Sequence, residues 1–228
     1  MPQIEFVLST IDRTEQRKVA VENVVIAGWA GRDAEAVQAH IDELAELGVT
    51  PPPSVPCFYP VGAELVTVGA AVDCLGSASS GEVEYFIYVD TDDAWWVGIG
   101  SDHTDREVEA YSVGVSKQVC PKPIAPELWR YSEIRETWDD LILRSWIREG
   151  DGESLYQEGS IASLLHPEDT VRAYEGLGGR MTPGTLMFGG TIPVLGGIRP
   201  AREFRMEIFD PARDRRITHG YTARWLAS

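Results

Sequence analysis

The chain has 228 residues, 43% of them hydrophobic, which is enough apolar material for one sizeable core. Lys+Arg number 20 against Asp+Glu 36, a formal net charge of −16. Such a surface repels nucleic acid and anionic membranes and argues against both as partners.

Cys57, Cys74 and Cys120 are widely spaced and match no CxxC metal pattern, so they read as reduced, buried thiols of a cytoplasmic protein. MPQIEFVLST carries no basic-then-apolar signal pattern, and no run approaches transmembrane length. Residues 4–10 and 21–27 read as strands, separated by a polar turn around Asp12 to Glu15. Residues 33–47 read as a helix with Asp33 as N-cap, an apolar stripe of Ala34, Val37, Ile41 and Leu44, and Gly48 as the stop. PPPSVP at 51–56 is a stiff, extended connector. From Phe58 onward short strands and Gly-rich turns dominate.

The run EVEYFIYV at 82–89 alternates. Glu82 and Glu84 share a face with Phe86 and Tyr88, while Val83, Tyr85, Ile87 and Val89 take the other. Both faces become apolar after Glu84, so two like charges stand at the mouth of a covered layer. They repel there unless a cation lies between them or they stand in open water. Further on, LILRSWI and LYQEGSIASLL, joined by EGDGES, read as a hairpin, although periodicity alone also allows a helix over 133–147. His166-Pro167 opens a short helix to about Tyr174, and the end of the chain is a hairpin around DPAR. The order of elements predicts an α+β, β-rich fold.

The sequence contains no phosphate loop, dinucleotide fingerprint or nucleophile elbow. Ser101-Asp102-His103 are chain neighbours and cannot align as a triad. Carboxylates remain: Glu82 and Glu84, then GIGSDHTDRE at 98–107, which offer oxygen ligands to a hard divalent cation. His40 and Glu43 lie three apart on the helix, where a carboxylate can fix one imidazole nitrogen and leave the other to take a proton from water. Singly, each has an ordinary structural reading as a strand end, a surface pair or an exposed charge. The run Asp90, Asp92, Asp93 reads as a solvated turn.

Taken in order, the motifs resemble the fumarylacetoacetate hydrolase superfamily from about Val24 to Leu226. VVIAGWAGRD, His40-Ile-Asp-Glu43, PPPSVPCFYPVGAELV, Glu82-Val83-Glu84, VGIGSDHTDRE, Ser116-Lys117, Gln157 and PGTLMFGGTIP follow the family's succession. The Asn-Tyr that the family carries before its His is missing, and Ile192 is inserted where the family runs Thr-Pro. The resemblance implies a mixed β-sandwich roll forming one domain over 1–228. Within it, 1–60 would carry the His–Glu dyad and 61–228 the β-rich catalytic core. It implies Mg²⁺ or Mn²⁺ on Glu82, Glu84 and Asp102, a His40–Glu43 dyad that activates water, and Lys117 stabilising developing negative charge, with Lys122 as an alternative lysine. It also implies a substrate contact from Thr191, Arg106 either clamping the substrate carboxylate or bracing the Asp102 loop, a homodimer, and a small anionic 2-oxo or diketo acid substrate. The implied reaction is metal-dependent hydrolysis of a C–C bond. Hydration, decarboxylation or isomerisation of 2-oxo acids, or a non-catalytic β-rich binding module, are the alternatives.

Overall fold

The alternation of EVEYFIYV is realised along a strand, Val83–Val89, whose seven residues are all buried. Val83, Tyr85 and Ile87 enter one apolar cluster, and Phe86 and Tyr88 enter another. A strand apolar on both faces needs cover on both faces, and two different structures supply it in this computed structural model. The structure describes residues 1–46 and 51–227, with the side chains of His40 and Leu44 also outside the description.

The strand lies inside an eight-stranded mixed sheet. Its order is Thr14–Ala20, Gln3–Ser9, Glu127–Arg130, Trp95–Ser101, Val83–Val89, Thr185–Thr191, Asn23–Gly28, Cys57–Val61. Two strands separate Gln3–Ser9 from Val83–Val89, yet the Phe6 ring centroid lies 5.4 Å from that of Tyr88. The sheet therefore curls over its Phe86/Tyr88 face and encloses Ile4, Phe6, Leu8, Leu128 and Phe188. The other face packs on a five-stranded mixed sheet ordered Gly152–Ser160, Ile142–Glu149, Glu203–Asp210, Arg215–Leu226, Ala71–Leu75. There Tyr85, Ile87, Val97 and Ile99 share a core with Leu143, Ile147, Met206, Ile208 and Ile217. The result is a strand-rich α+β fold with several mixed sheets. The strands of residues 1–60 are woven into the same sheet as those of the later chain.

The helix Ala34–Glu46 forms as its sequence predicts, and Asp33 Oδ1 caps it by accepting from the Glu35 and Ala36 amides at 3.1 Å each. Gly48, the predicted stop, lies outside the described residues. The helix Pro167–Gly176 and the hairpins Ile142–Glu149/Gly152–Ser160 and Glu203–Asp210/Arg215–Leu226 also stand where the sequence put them. The helical periodicity over 133–147 is split, with helical turns Tyr131–Ile134 and Arg135–Asp140 giving way to the strand.

Two readings need correction. The turn expected around Asp12 to Glu15 is shorter, and Thr14–Ala20 is a strand. Its TEQRKVA sequence hides this because it is an edge strand with one face in water. Asp90 is not part of a solvated turn but is 1% exposed. It is ion-paired with Arg17 and accepts from the Thr91 amide at 2.7 Å, whereas Asp92 and Asp93 are exposed as expected. All three cysteines are buried free thiols. Among the described residues no helix is long and apolar enough to cross a membrane.

Candidate metal centre

The carboxylate cluster follows from strand register. Val83–Val89 pairs antiparallel with Trp95–Ser101, placing Val83 opposite Ser101 and Glu84 opposite Gly100. The next step along the pair sets Glu82 against Asp102, whose amide donates to the Glu82 carbonyl at 3.0 Å. Glu82 and Glu84 share a face, so three carboxylates meet at one corner. One oxygen from each lies within 4.8 Å of the others. Gly100 leaves that face open for the core beneath, since a Cβ there would sit 2.7 Å from Phe188 and 2.8 Å from Ile124.

A bulge in the neighbouring strand completes the cradle. Phe188 pairs with Phe86 and Thr191 with Glu84, so Gly189 and Gly190 are squeezed into the interval. Gly189 presses on Tyr85, where a Cβ would lie 1.9 Å from the ring. Gly190 takes φ +97°, which aims its amide at Glu84 Oε2, 2.9 Å away. Thr191 Oγ1 donates to the Val83 carbonyl at 2.8 Å. Buried Gln157 braces both strands: it accepts from the Val83 amide at 3.0 Å and donates to Thr191 Oγ1 at 2.9 Å and the Ile192 carbonyl at 2.7 Å.

Three cations surround the carboxylates. Lys117, from the helix Val113–Gln118, bonds Asp102 Oδ2 and lies 4.0 Å from Glu82 Oε2. Lys122 lies 3.1 Å from Asp102 Oδ1 and donates to the His103 carbonyl at 2.6 Å. Arg106 reaches Glu82 at 3.0 Å, Glu109 at 2.7 Å and Ser80 Oγ at 2.7 Å. Arg106 thus braces a carboxylate of the cluster, and its place in a chain Glu109–Arg106–Glu82 was not visible in sequence. Both lysines hold Asp102, but only Lys117 lines the adjoining cavity.

The electrostatics divide the acids. Burial pushes the Asp102 carboxyl up, but Lys117 and Lys122 outweigh it and hold the group at about 2. Burial, then the charge of Asp102, drive Glu84 well above its ordinary value, against the pull of Lys117 and the Gly190 amide. Burial lowers Lys117, yet Asp102, Glu82 and Glu84 together hold it above the usual lysine range. A 2% exposed glutamate facing two other carboxylates needs either a proton or more positive charge. Hard oxygen donors at this spacing, with an ammonium already drawn among them, fit a small divalent cation.

The cluster opens into a cavity of about 750 Å³. Glu82, Glu84, Lys117, Gly190 and Thr191 line it. The Ala34–Glu46 helix contributes Ala36 and Val37 to its wall. Glu43 is exposed on that helix, while the side chain of His40 lies outside the described residues. Trp29 also lines the cavity and holds φ +57°, an uncommon conformation for a bulky side chain. Sequence reading missed Trp29, Tyr59 and Arg32 in this wall, because Trp29 and Arg32 come from the loop after the Asn23–Gly28 strand and Tyr59 from the middle of the Cys57–Val61 strand. Ser101 and His103 turn away from Asp102, and both hydrogen-bond the Tyr221 hydroxyl at 2.8 Å.

Mixed sheets carrying this corner have the fold of the fumarylacetoacetate hydrolase superfamily, as the motifs implied. A 5-carboxymethyl-2-hydroxymuconate delta-isomerase from Mycobacterium smegmatis shares it with TM-score 0.61 and 14% identity, over 96% of this chain and 88% of that one. A yeast fumarylacetoacetate hydrolase family protein gives 0.62 and 16%, over 90% and 94%. A 2-keto-3-deoxyarabinonate dehydratase gives 0.65 and 16%, over 93% and 78%. The chain itself belongs to the family described as protein of unknown function (DUF2848), whose model matches residues 27–221. No curated protein matches it in sequence.

Proposed function

We propose that the protein is a divalent-metal-dependent hydrolase that cleaves a C–C bond in an acylpyruvate-like or β-diketo/2-oxo acid. The observation that carries this reading is the convergence of Glu82, Glu84 and Asp102 at the end of a cavity that Lys117 also enters. These three carboxylates would hold Mg²⁺ or Mn²⁺. When bound, the ion would supply Lewis-acid polarisation of substrate oxygens.

The chain's own residues do the rest. Lys117 presents a buried ammonium beside the carboxylates, where it offsets negative charge that develops on the substrate. Thr191 lines the cavity with a hydroxyl whose partners fix its position. His40 and Glu43 act as the dyad, Glu43 orienting the imidazole so that it takes a proton from water. Their position on the helix that walls the cavity supports this. Arg106 meets substrate only if it leaves Glu82, and its ion pairs favour a bracing role. In this reading 1–228 is one catalytic unit, a β-sandwich roll that works as a cytoplasmic homodimer. Dehydration or isomerisation at the same corner is the second reading, favoured by the names of two structures that share the fold.

The test is a calorimetric titration of Mg²⁺ and Mn²⁺ into stripped wild type and Glu84→Ala, with and without oxalate as a 2-oxo acid mimic. Metal binding in wild type, its loss in the variant and tighter binding with oxalate are expected. Absence of metal binding in wild type would sink the reading. Product analysis with acylpyruvates, oxaloacetate and enol-pentenoates separates hydrolysis from the alternatives.

A further inference from the structure

The cavity is asymmetric in charge. Among the described residues that line it, the charged ones are Arg32, Asp33, Glu82, Glu84, Glu109 and Lys117. Lys117 belongs to the carboxylate corner, and Glu109 is held by Arg106. Asp33 caps the helix. This leaves Arg32 as the cation that could meet the outer end of a substrate, and it is engaged. Its two Nη atoms donate to Asp139 at 2.8 and 2.7 Å, and its Nε donates to the Leu164 carbonyl at 3.0 Å. The bidentate fork neutralises the guanidinium. The remaining wall is mostly apolar, with Ala30, Val37, Val113, Leu164 and Pro193 among its side chains, and its other polar side chains, such as Tyr59, Ser163 and Thr191, are uncharged.

Resting on the 2-oxo acid reading of the corner, we propose that the cavity selects a substrate with a single anionic head and an uncharged apolar tail. Asp139, by occupying Arg32, is the residue that rejects a second carboxylate at the tail. A tail carboxylate would lose its water against alkyl walls, with Asp33 nearby and no free cation to replace the hydration. An alkyl or aryl tail loses only unfavourable contact with water. Asp139 touches no substrate, so its role is to position and neutralise Arg32. Its side chain is 56% exposed, and its replacement does not disturb a core.

The test uses N-substituted oxamates, which keep the 2-oxo acid head and carry a chosen tail. Their binding to the Mn²⁺-supplemented full chain is measured by calorimetry, with oxalate as the reference. Lengthening the tail from methyl to hexyl tightens binding by about fourfold per methylene that reaches the wall, and at least about tenfold in all. N-(5-carboxypentyl) oxamate binds at least about tenfold more weakly than N-hexyl oxamate. Asp139→Asn narrows that gap to about threefold or less by freeing the guanidinium for the tail carboxylate. The Arg32→Gln/Asp139→Asn double variant restores the gap. Oxalate binding with a flat alkyl series, an equally tight carboxypentyl probe, or no gain in Asp139→Asn would each overturn the proposal and leave the metal site standing. Failure of oxalate to bind with Mn²⁺ would instead overturn the reading of the corner on which the proposal rests.

Discussion

The hairpin Val83–Val89/Trp95–Ser101 carries acidic residues at both ends, and the two ends are built on opposite principles. At the turn, Asp90 is buried but satisfied. Its carboxylate takes the Thr91 amide and the Arg17 guanidinium, its amide donates to the Ala94 carbonyl at 2.9 Å, and no second acid is buried beside it. At the open end, Glu84 and Asp102 are equally buried and stand with Glu82 around shared space. A single buried carboxylate with donors closes a turn. Two buried carboxylates and a third, half-buried one facing one another leave Glu84 short of positive charge, because Lys117 and Lys122 hold Asp102 and Arg106 holds Glu82. Burial and acidity alone therefore do not mark a site; the number of acids sharing one volume does.

Removing one acid from each end should separate the two roles most sharply. Glu84→Gln is expected to weaken Mn²⁺ binding by about 100-fold or more, since in the proposed site it would remove a ligand and not an outer-sphere partner. Asp90→Asn should leave that titration unchanged. Loss of the Asp90 charge instead costs stability, about 1–3 kcal/mol in urea unfolding, because its buried hydrogen bonds to charged and amide donors weaken. An Asp90 variant that lost metal, or a Glu84 variant that kept it, would erase the distinction.

Gly190→Ala probes the cradle more gently. A Cβ at φ +97° strains the backbone by about 1–3 kcal/mol and turns the amide off Glu84. Melting temperature and Mn²⁺ affinity should both fall, the latter by about tenfold. A drop in melting temperature alone would show that the Gly190 amide is not part of the metal site.

The smallest effect concerns pH, and the two buried acids of the open end have opposite signs. Glu84 titrates above its ordinary 4.5, so metal-free folded protein holds its proton more tightly than unfolded chain does. That stabilisation is full below pH 4.5 and is lost as pH rises through the elevated folded value. Asp102, held at about 2, contributes stability above its ordinary 3.8 that disappears as pH falls toward 2. Metal ligation favours ionised Glu84. The rise in melting temperature on adding Mn²⁺ should therefore be larger at pH 8 than at pH 5, by a few degrees for a shift of about 1 kcal/mol. A rise that is equal at both pH values would contradict the raised proton affinity assigned to Glu84.

Local order carried much of this molecule in its sequence. Alternation in EVEYFIYV predicted a strand covered on both faces, the Asp33 cap and the apolar stripe predicted the helix that walls the cavity, and the DPAR turn predicted the last hairpin. The motif order brought Glu82, Glu84 and Asp102 together before any contact was seen. Such features are legible because side-chain period and capping depend on residues a few positions apart. What only the tertiary structure decided lies at long range. The Arg17–Asp90 and Arg32–Asp139 ion pairs join residues 73 and 107 apart in the chain, and the bulge that turns the Gly190 amide onto Glu84 joins residues 106 apart. These, like the curl that sets Phe6 against Tyr88, are invisible in any local window, because a contact's partner is fixed by how sheets pack and not by the spacing of either residue along its own strand.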